Sequence, residues 1–258
     1  MTANDVILET RGLTKEFRGF VAVNDVNLKV ARGSIHALIG PNGAGKTTCF
    51  NLLTKFLPVT RGSIHFNGID ITAERPVQIA RRGMVRSFQI SSVFPHLTVL
   101  ENVRIALQRA TPYSFQFWRS DRVLESLNAR AMELLDQVDL REFAPVVTVE
   151  LPYGRKRALE IATTLATEPE MMLLDEPTQG MGHEDVARVT ALIKRVAAGR
   201  TVLMVEHNMN VVATIADRIT VLARGAVLAE GPYAEVSNNP QVREAYMGSA
   251  DAELQGAH

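Results

Sequence analysis

Between residues 40 and 48 the chain reads Gly40-Pro41-Asn42-Gly43-Ala44-Gly45-Lys46-Thr47-Thr48, a fit to the pattern G-x-x-x-x-G-K-[ST]. A loop of this kind dictates what stands on either side of it. It needs a buried strand before and a helix after, so that backbone N–H groups and the helix N-terminus converge on an oxyanion. Ile35-His36-Ala37-Leu38-Ile39 is a short apolar run suited to that strand, and Thr48 to Phe56 has the composition of a helix. In this arrangement Lys46 would pair with the β- and γ-phosphates of a nucleotide, and the Thr47 hydroxyl would enter the shell of a Mg²⁺ ion. The motif predicts nucleotide binding.

Downstream residues narrow the chemistry. Met171-Met172-Leu173-Leu174 reads as a second buried strand and runs directly into Asp175-Glu176. An acidic residue at the end of such a strand is the usual partner of the metal. A neighbouring carboxylate can deprotonate the attacking water, which favours hydrolysis over transfer to a substrate hydroxyl. A third strand, Thr201 to Val205, ends at Glu206-His207, and Gln89 follows the strand-like run Met84 to Phe88. Both lie where ligands bind in an open α/β sheet, at the carboxyl ends of strands.

Taken in this order, the residues resemble the ATP-binding cassette (ABC) ATPases. Gly40 to Thr47 matches the Walker A loop, Gln89 the Q-loop, Asp175 and Glu176 the Walker B pair, and His207 the switch histidine. Phe17 falls where that family sets an aromatic ring against adenine. Leu151-Pro152-Tyr153-Gly154-Arg155 takes the place of the signature loop, with Pro152 where the family has serine; Gly182 stands where the loop after Walker B often has Asp or Asn. Phe17 to Val26, Arg86 to Gln89, Tyr153 to Ala162 and the closing Asn238 to Gly248 look like the importers of branched-chain amino acids. The resemblance implies ATP and Mg²⁺ as cofactors, with Thr47, Gln89 and Asp175 toward the metal and Glu176, His207 and Gln89 in catalysis. It also implies a head-to-tail pair of cassettes, identical or different, in which the signature loop of one closes on the ATP of the other. Integral membrane permease subunits would be direct partners, and a periplasmic or extracellular solute-binding protein an indirect one. A lipid or lipopolysaccharide exporter, or a soluble cassette acting on nucleic acid or ribosomes, is the alternative.

Composition bears on that choice. Lys+Arg and Asp+Glu are both 28 among 258 residues, so the basic excess of a nucleic-acid footprint is missing. No apolar run of 18 residues and no charged-then-apolar leader is seen, which places the expected chain at the cytoplasmic face of a membrane, held there by partners. Cys49, the only cysteine, reads as a small core residue. His36, His65, His96, His183 and His258 show no metal-ligand spacing.

The expected fold is an α/β P-loop cassette: a mixed, largely parallel core sheet, an antiparallel β subdomain and an inserted helical subdomain. Residues 1–95 and 167–248 would form the core with the β subdomain, 96–166 the helical signature subdomain, and 249–258 a frayed tail. Val6 to Val30 alternates as antiparallel strands do, and Arg224-Gly225 between two apolar runs is a hairpin signal. Thr98 and Glu101 form a capping box ahead of a helix. The signature helix is expected over Lys156 to Ala166. Arg155-Lys156-Arg157 reads either as a solvated face or as charge for a phosphate. Thr111 to Trp118 is an aromatic-rich insertion. Phe94-Pro95-His96-Leu97, at the border of the two lobes, is expected to receive a membrane subunit.

Overall fold

The computed structural model describes residues 5–87, 93–108 and 125–246. Gln89, the 111–118 insertion and the 249–258 tail therefore lie outside the described residues. Two sheets organise the chain. The first is antiparallel: β1 (Val6–Phe17), β2 (Phe20–Val26), β3 (Lys29–Ala31), β5 (Arg61–Phe66) and β6 (Ile69–Asp70), in the order β2-β1-β5-β6 with β3 also on β1. The second runs β11-β10-β4-β9-β8-β7, built from β4 (Ile35–Ile39), β7 (Met84–Ser87), β8 (Met171–Asp175), β9 (Thr201–Val205), β10 (Arg218–Ala223) and β11 (Ala226–Gly231). Its pairings are parallel except β10–β11, where Arg224 and Gly225, both at positive φ, close a tight hairpin.

Every residue of β4, β8 and β9 is buried, as expected of parallel strands covered on both faces. The period of two divides their side chains between two apolar clusters. Leu38, Met171, Leu173, Leu203 and Val205 face one way, onto α1 (Lys46–Leu53) and the antiparallel sheet. Cys49 is buried in that cluster, as is Ile79 of the short α2 (Pro76–Arg81). Ile35, Ala37, Ile39, Met172, Leu174, Val202 and Met204 face the other way. Their cluster takes in Val99 and Val103 of α3 (Val99–Gln108) and Leu134 and Leu135 of α4 (Asn128–Gln137), so the helical segment shares one core with the sheet. It also draws on α5 (Tyr153–Leu165), α6 (His183–Val196) and α7 (Met209–Ile215).

Two helices differ from the sequence expectation at both ends, α1 starting at Lys46 rather than Thr48 and α5 ending at Leu165 rather than Ala166. Helix α1 stops at Leu53, short of Phe56, because Lys55 takes a left-handed φ of 65°. Helix α5 starts at Tyr153 rather than Lys156. Pro152 is its N-cap, with an extended ψ, and the Pro152 carbonyl accepts the N–H groups of Arg155 and Lys156. The capping box is as expected: Thr98 N–H donates to Glu101 Oε2 at 2.7 Å, and Glu101 N–H to Thr98 Oγ1 at 3.2 Å.

His36 is a core residue, its Nε2 2.8 Å from the Thr220 hydroxyl. Burial, with a smaller push from the Arg218 charge, lowers its pKa from 6.5 to about 4. The unfolded chain takes up this proton near the ordinary value and the folded chain only near 4. The stability due to neutral His36 is thus fully present above about pH 6.5 and is lost as pH falls toward 4, up to about 3 kcal/mol. Thermal unfolding followed from pH 7 to pH 4 should show this decline, and His36→Gln should show a shallower one. Equal slopes in the two proteins would remove His36 as the cause.

Candidate nucleotide site

Strand β4 delivers the phosphate loop to the carboxyl edge of the parallel sheet, and three of its glycines are at positive φ: Gly40, Gly43 and Gly45. Their surroundings differ. A Cβ on Gly40 would lie 2.1 Å from the Leu222 carbonyl oxygen, and one on Gly45 2.5 Å from that of Ala22, so the loop is braced by backbone from β10 and β2. A Cβ on Gly43 would meet nothing within 4 Å, so the loop is open there. The first intrahelical bond of α1 is Cys49 N–H to Gly45 O, at 2.8 Å. The N–H groups of Lys46, Thr47 and Thr48 therefore have no partner inside the helix and remain for an anion. Asn42 and Thr47 are exposed and Pro41 half-buried, whereas Ala44 is buried and hydrogen-bonds Pro41 O and Gly225 N–H through its backbone.

Lys46 is buried, and its Nζ donates to Gly40 O at 2.6 Å and Pro41 O at 2.9 Å. An ammonium has three donors, so these carbonyls aim the group without exhausting it. Burial lowers its pKa, and the charges of Glu176 and Asp175 oppose that shift. Both carboxylates thus act on the Lys46 amine.

Asp175 ends β8 opposite Val205 of β9. Its Oδ2 accepts from Arg86 Nη2 at 2.5 Å, and Arg86 Nη1 donates to Asn51 of α1 at 2.6 Å. Glu176 follows with φ 45°, a conformation uncommon outside glycine, held by its N–H to Val205 O at 2.9 Å. Strained backbone of this kind gathers at functional sites. His207 is exposed just beyond β9. For a divalent cation the Thr47 hydroxyl and the Asp175 carboxylate could serve as donors, hard oxygens of the type that suits Mg²⁺, which keeps most of its shell for water and phosphate. Phe17, 41% exposed at the end of β1, stands opposite Phe20 with Lys15 Nζ 5.0 Å from its ring centroid.

The signature segment is arranged otherwise than its charge run suggested. Leu151 is core and Tyr153 is exposed. Gly154 is buried so closely against Asp185 of α6 that a Cβ would lie 2.7 Å from Oδ1. Arg155 stacks on the Phe143 ring, 3.6 Å from its centroid, and Lys156 Nζ donates to Val149 O. The guanidinium of Arg155 is thus held on its own subunit's aromatic ring, and the charge nearest the signature turn is directed inward. Arg157 is neither solvated nor aimed at a phosphate. It is buried, pairs with Glu160, and donates from Nη2 to the Asp175 carbonyl at 2.9 Å, so α5 is tied to the end of β8. Gly182 is the N-cap of α6 and supplies no side-chain acceptor.

Phe94 is 51% exposed, which removes core packing as its role. What holds it out is Asn102, a buried residue the sequence reading passed over. Asn102 Oδ1 accepts Phe94 N–H at 2.7 Å, and the two hydrogens of Nδ2 are shared among the carbonyls of Phe94 and Thr98 and the Thr148 hydroxyl, each 3.0 Å away. Its only sequence signal is an amide on the apolar face of α3, beside Val99 and Val103.

The comparisons with known proteins agree with this geometry. A family described as ABC transporter matches residues 23–179. The chain belongs to the ABC transporter family. A second model, described as branched-chain amino acid ATP-binding cassette transporter, matches residues 226–252. The chain is 41% identical to the high-affinity branched-chain amino acid transport ATP-binding protein BraF of Pseudomonas aeruginosa, covering 95% of this chain and 98% of that one. It is 39% identical to LivG of Escherichia coli, which carries the same description, with 95% and 98% covered. Among solved structures, the ADP conformation of MJ1267, an ATP-binding cassette of an ABC transporter, superposes with a TM-score of 0.83 at 30% identity, covering 94% of this chain and 99% of that one. As an ABC cassette the chain binds nucleotide and hydrolyses ATP. Among the described residues no helix is long and apolar enough to cross a membrane.

Proposed function

We propose that this chain is the ATP-hydrolysing subunit of an importer of branched-chain amino acids or similar small polar solutes. The observation that carries the reading is the convergence of Lys46, Asp175 and Glu176 at one sheet edge, in a chain whose relatives are transport ATP-binding proteins along nearly their full length. ATP lies on the loop from Gly40 to Thr48, with Lys46 and the first N–H groups of α1 on its phosphates and Phe17 against the base. Thr47 and Asp175 would hold Mg²⁺, which when bound would supply positive charge against the phosphates. Glu176 takes the proton of the attacking water, and His207 meets the γ-phosphate from the end of β9. The signature segment from Leu151 to Arg155 closes on the ATP of a second cassette, a copy or a related chain, chiefly through its backbone, since Arg155 and Lys156 are engaged within their own subunit. Phe94-Pro95-His96-Leu97, at the border of the two lobes, receives the permease, and the complex sits at the cytoplasmic face of the membrane.

The test is reconstitution with permease subunits in vesicles, with ATP turnover measured while a solute-binding protein loaded with leucine, or left empty, is added outside. Leucine-dependent stimulation is expected, and turnover indifferent to the loaded binding protein would remove the importer reading. A surface variant checks the coupling. Phe94→Asp places a charge on a half-exposed ring position whose fixing bonds are main-chain, so nucleotide affinity and the unfolding temperature should hold while stimulation by the permease is lost. Full stimulation in that variant would take Phe94 out of the interface.

A further inference from the structure

Glu206 directly follows β9, and its side chain is fully buried, at 0% exposure. A buried carboxylate survives only if its oxygens are satisfied. Here each oxygen serves a different segment. Oε1 accepts the Thr178 N–H at 3.1 Å and the Thr178 hydroxyl at 2.5 Å. Oε2 accepts the main-chain N–H groups of His207 at 3.0 Å and Asn208 at 3.1 Å. Thr178 lies two residues beyond Glu176, in the loop that leaves β8. Asn208 in turn caps α7, accepting from the N–H groups of Asn210 and Val211. An apolar residue at 206 would continue the buried pattern of β9 but would leave those donors without acceptors.

We propose that Glu206 is a positioning residue for hydrolysis: its one carboxylate clamps the loop that carries Glu176 to the loop that carries His207, so the two side chains meet the γ-phosphate in a fixed relation. The inference rests on the assignment of Glu176 and His207 to catalysis. Glu206→Gln keeps the shape but sets an NH₂ group against either Thr178 or the two N–H donors beyond β9, so one half of the clamp opens. Misplacement by about 1 Å costs on the order of 10²-fold in rate.

The experiment measures kcat and ATP affinity for the full chain in its assembled complex, in a cycle of Glu206→Gln, His207→Ala and the double variant. Glu206→Gln should lower kcat about 10²-fold with ATP affinity unchanged, and should cost far less when His207 is already absent, because positioning a missing side chain has no value. A full extra loss in the double variant, or an unchanged kcat in the single one, overturns the clamp. If Glu206→Gln does not fold, Thr178→Val opens the other half of the clamp and carries the same cycle, with the same two outcomes. If turnover of His207→Ala is at background, the imidazole proton resonances of His207 replace it: they should shift in the clamp variant, and unmoved resonances overturn the proposal. Full activity in both Glu176→Gln and His207→Ala would instead overturn the site assignment, and the clamp with it.

Discussion

Glu176→Gln is expected to keep ATP bound and to lower its hydrolysis by roughly 10²–10⁴-fold, the usual contribution of a positioned base. The amide has nearly the carboxylate's shape but cannot take a proton from water. The backbone that fixes this residue is untouched by the change: its N–H still reaches Val205 O, and its carbonyl still accepts Gln179 N–H at 3.1 Å. Loss of rate therefore comes without loss of fold, and ATP should accumulate unhydrolysed in an associated pair of cassettes. Phosphate release and sedimentation, both at saturating ATP, read the two effects. Near-normal turnover in the assembled complex would exclude Glu176 as the base.

Lys46→Ala should be nearly as severe, but in binding. It removes a charge-assisted contact to phosphate of the kind roughly twice as strong as a neutral hydrogen bond. It also strips the Gly40 and Pro41 carbonyls of the donor that now joins them. Phe17→Ala touches only the base, and a base on an aromatic ring is worth roughly 1–3 kcal/mol. Titration with ATP and with inorganic triphosphate separates the two. Lys46→Ala should weaken both ligands, and Phe17→Ala only ATP. If Phe17→Ala weakens triphosphate equally, the ring does not stack on adenine.

Much of this site was legible because its signals are local. The phosphate loop announces itself in nine consecutive residues, and the capping box of Thr98 and Glu101 and the Arg224-Gly225 turn are short patterns. Strand β9 has the expected limits, Thr201 and Val205, since an all-buried strand is an unbroken apolar run. What stayed hidden is polar, buried and paired across long stretches of chain. Arg157 reads in the sequence as a solvated charge or as one for a phosphate, yet its partners include a carbonyl at the end of β8. Asn102 reaches Thr148, and Glu206 reaches Thr178. Hydrophobic periodicity says only that such positions are buried; it cannot name a hydrogen-bond partner brought close by tertiary packing. The start of α5 was misplaced for a related reason. Proline can stand in the first turn of a helix or just ahead of it, and only the fold decides.

The bracing of the phosphate loop carries a further consequence. Gly40 abuts the Leu222 carbonyl and Gly45 the Ala22 carbonyl, so two separate sheets already immobilise the chain that will wrap the phosphates. The entropy of ordering that chain is lost during folding, not at the moment of binding, and contact energy with nucleotide can appear as affinity instead of being consumed in arranging the loop. The same contacts run in reverse. A nucleotide held on this loop resists the separation of the two sheets, so ligand occupancy should protect amides of β2 and β10 from hydrogen exchange.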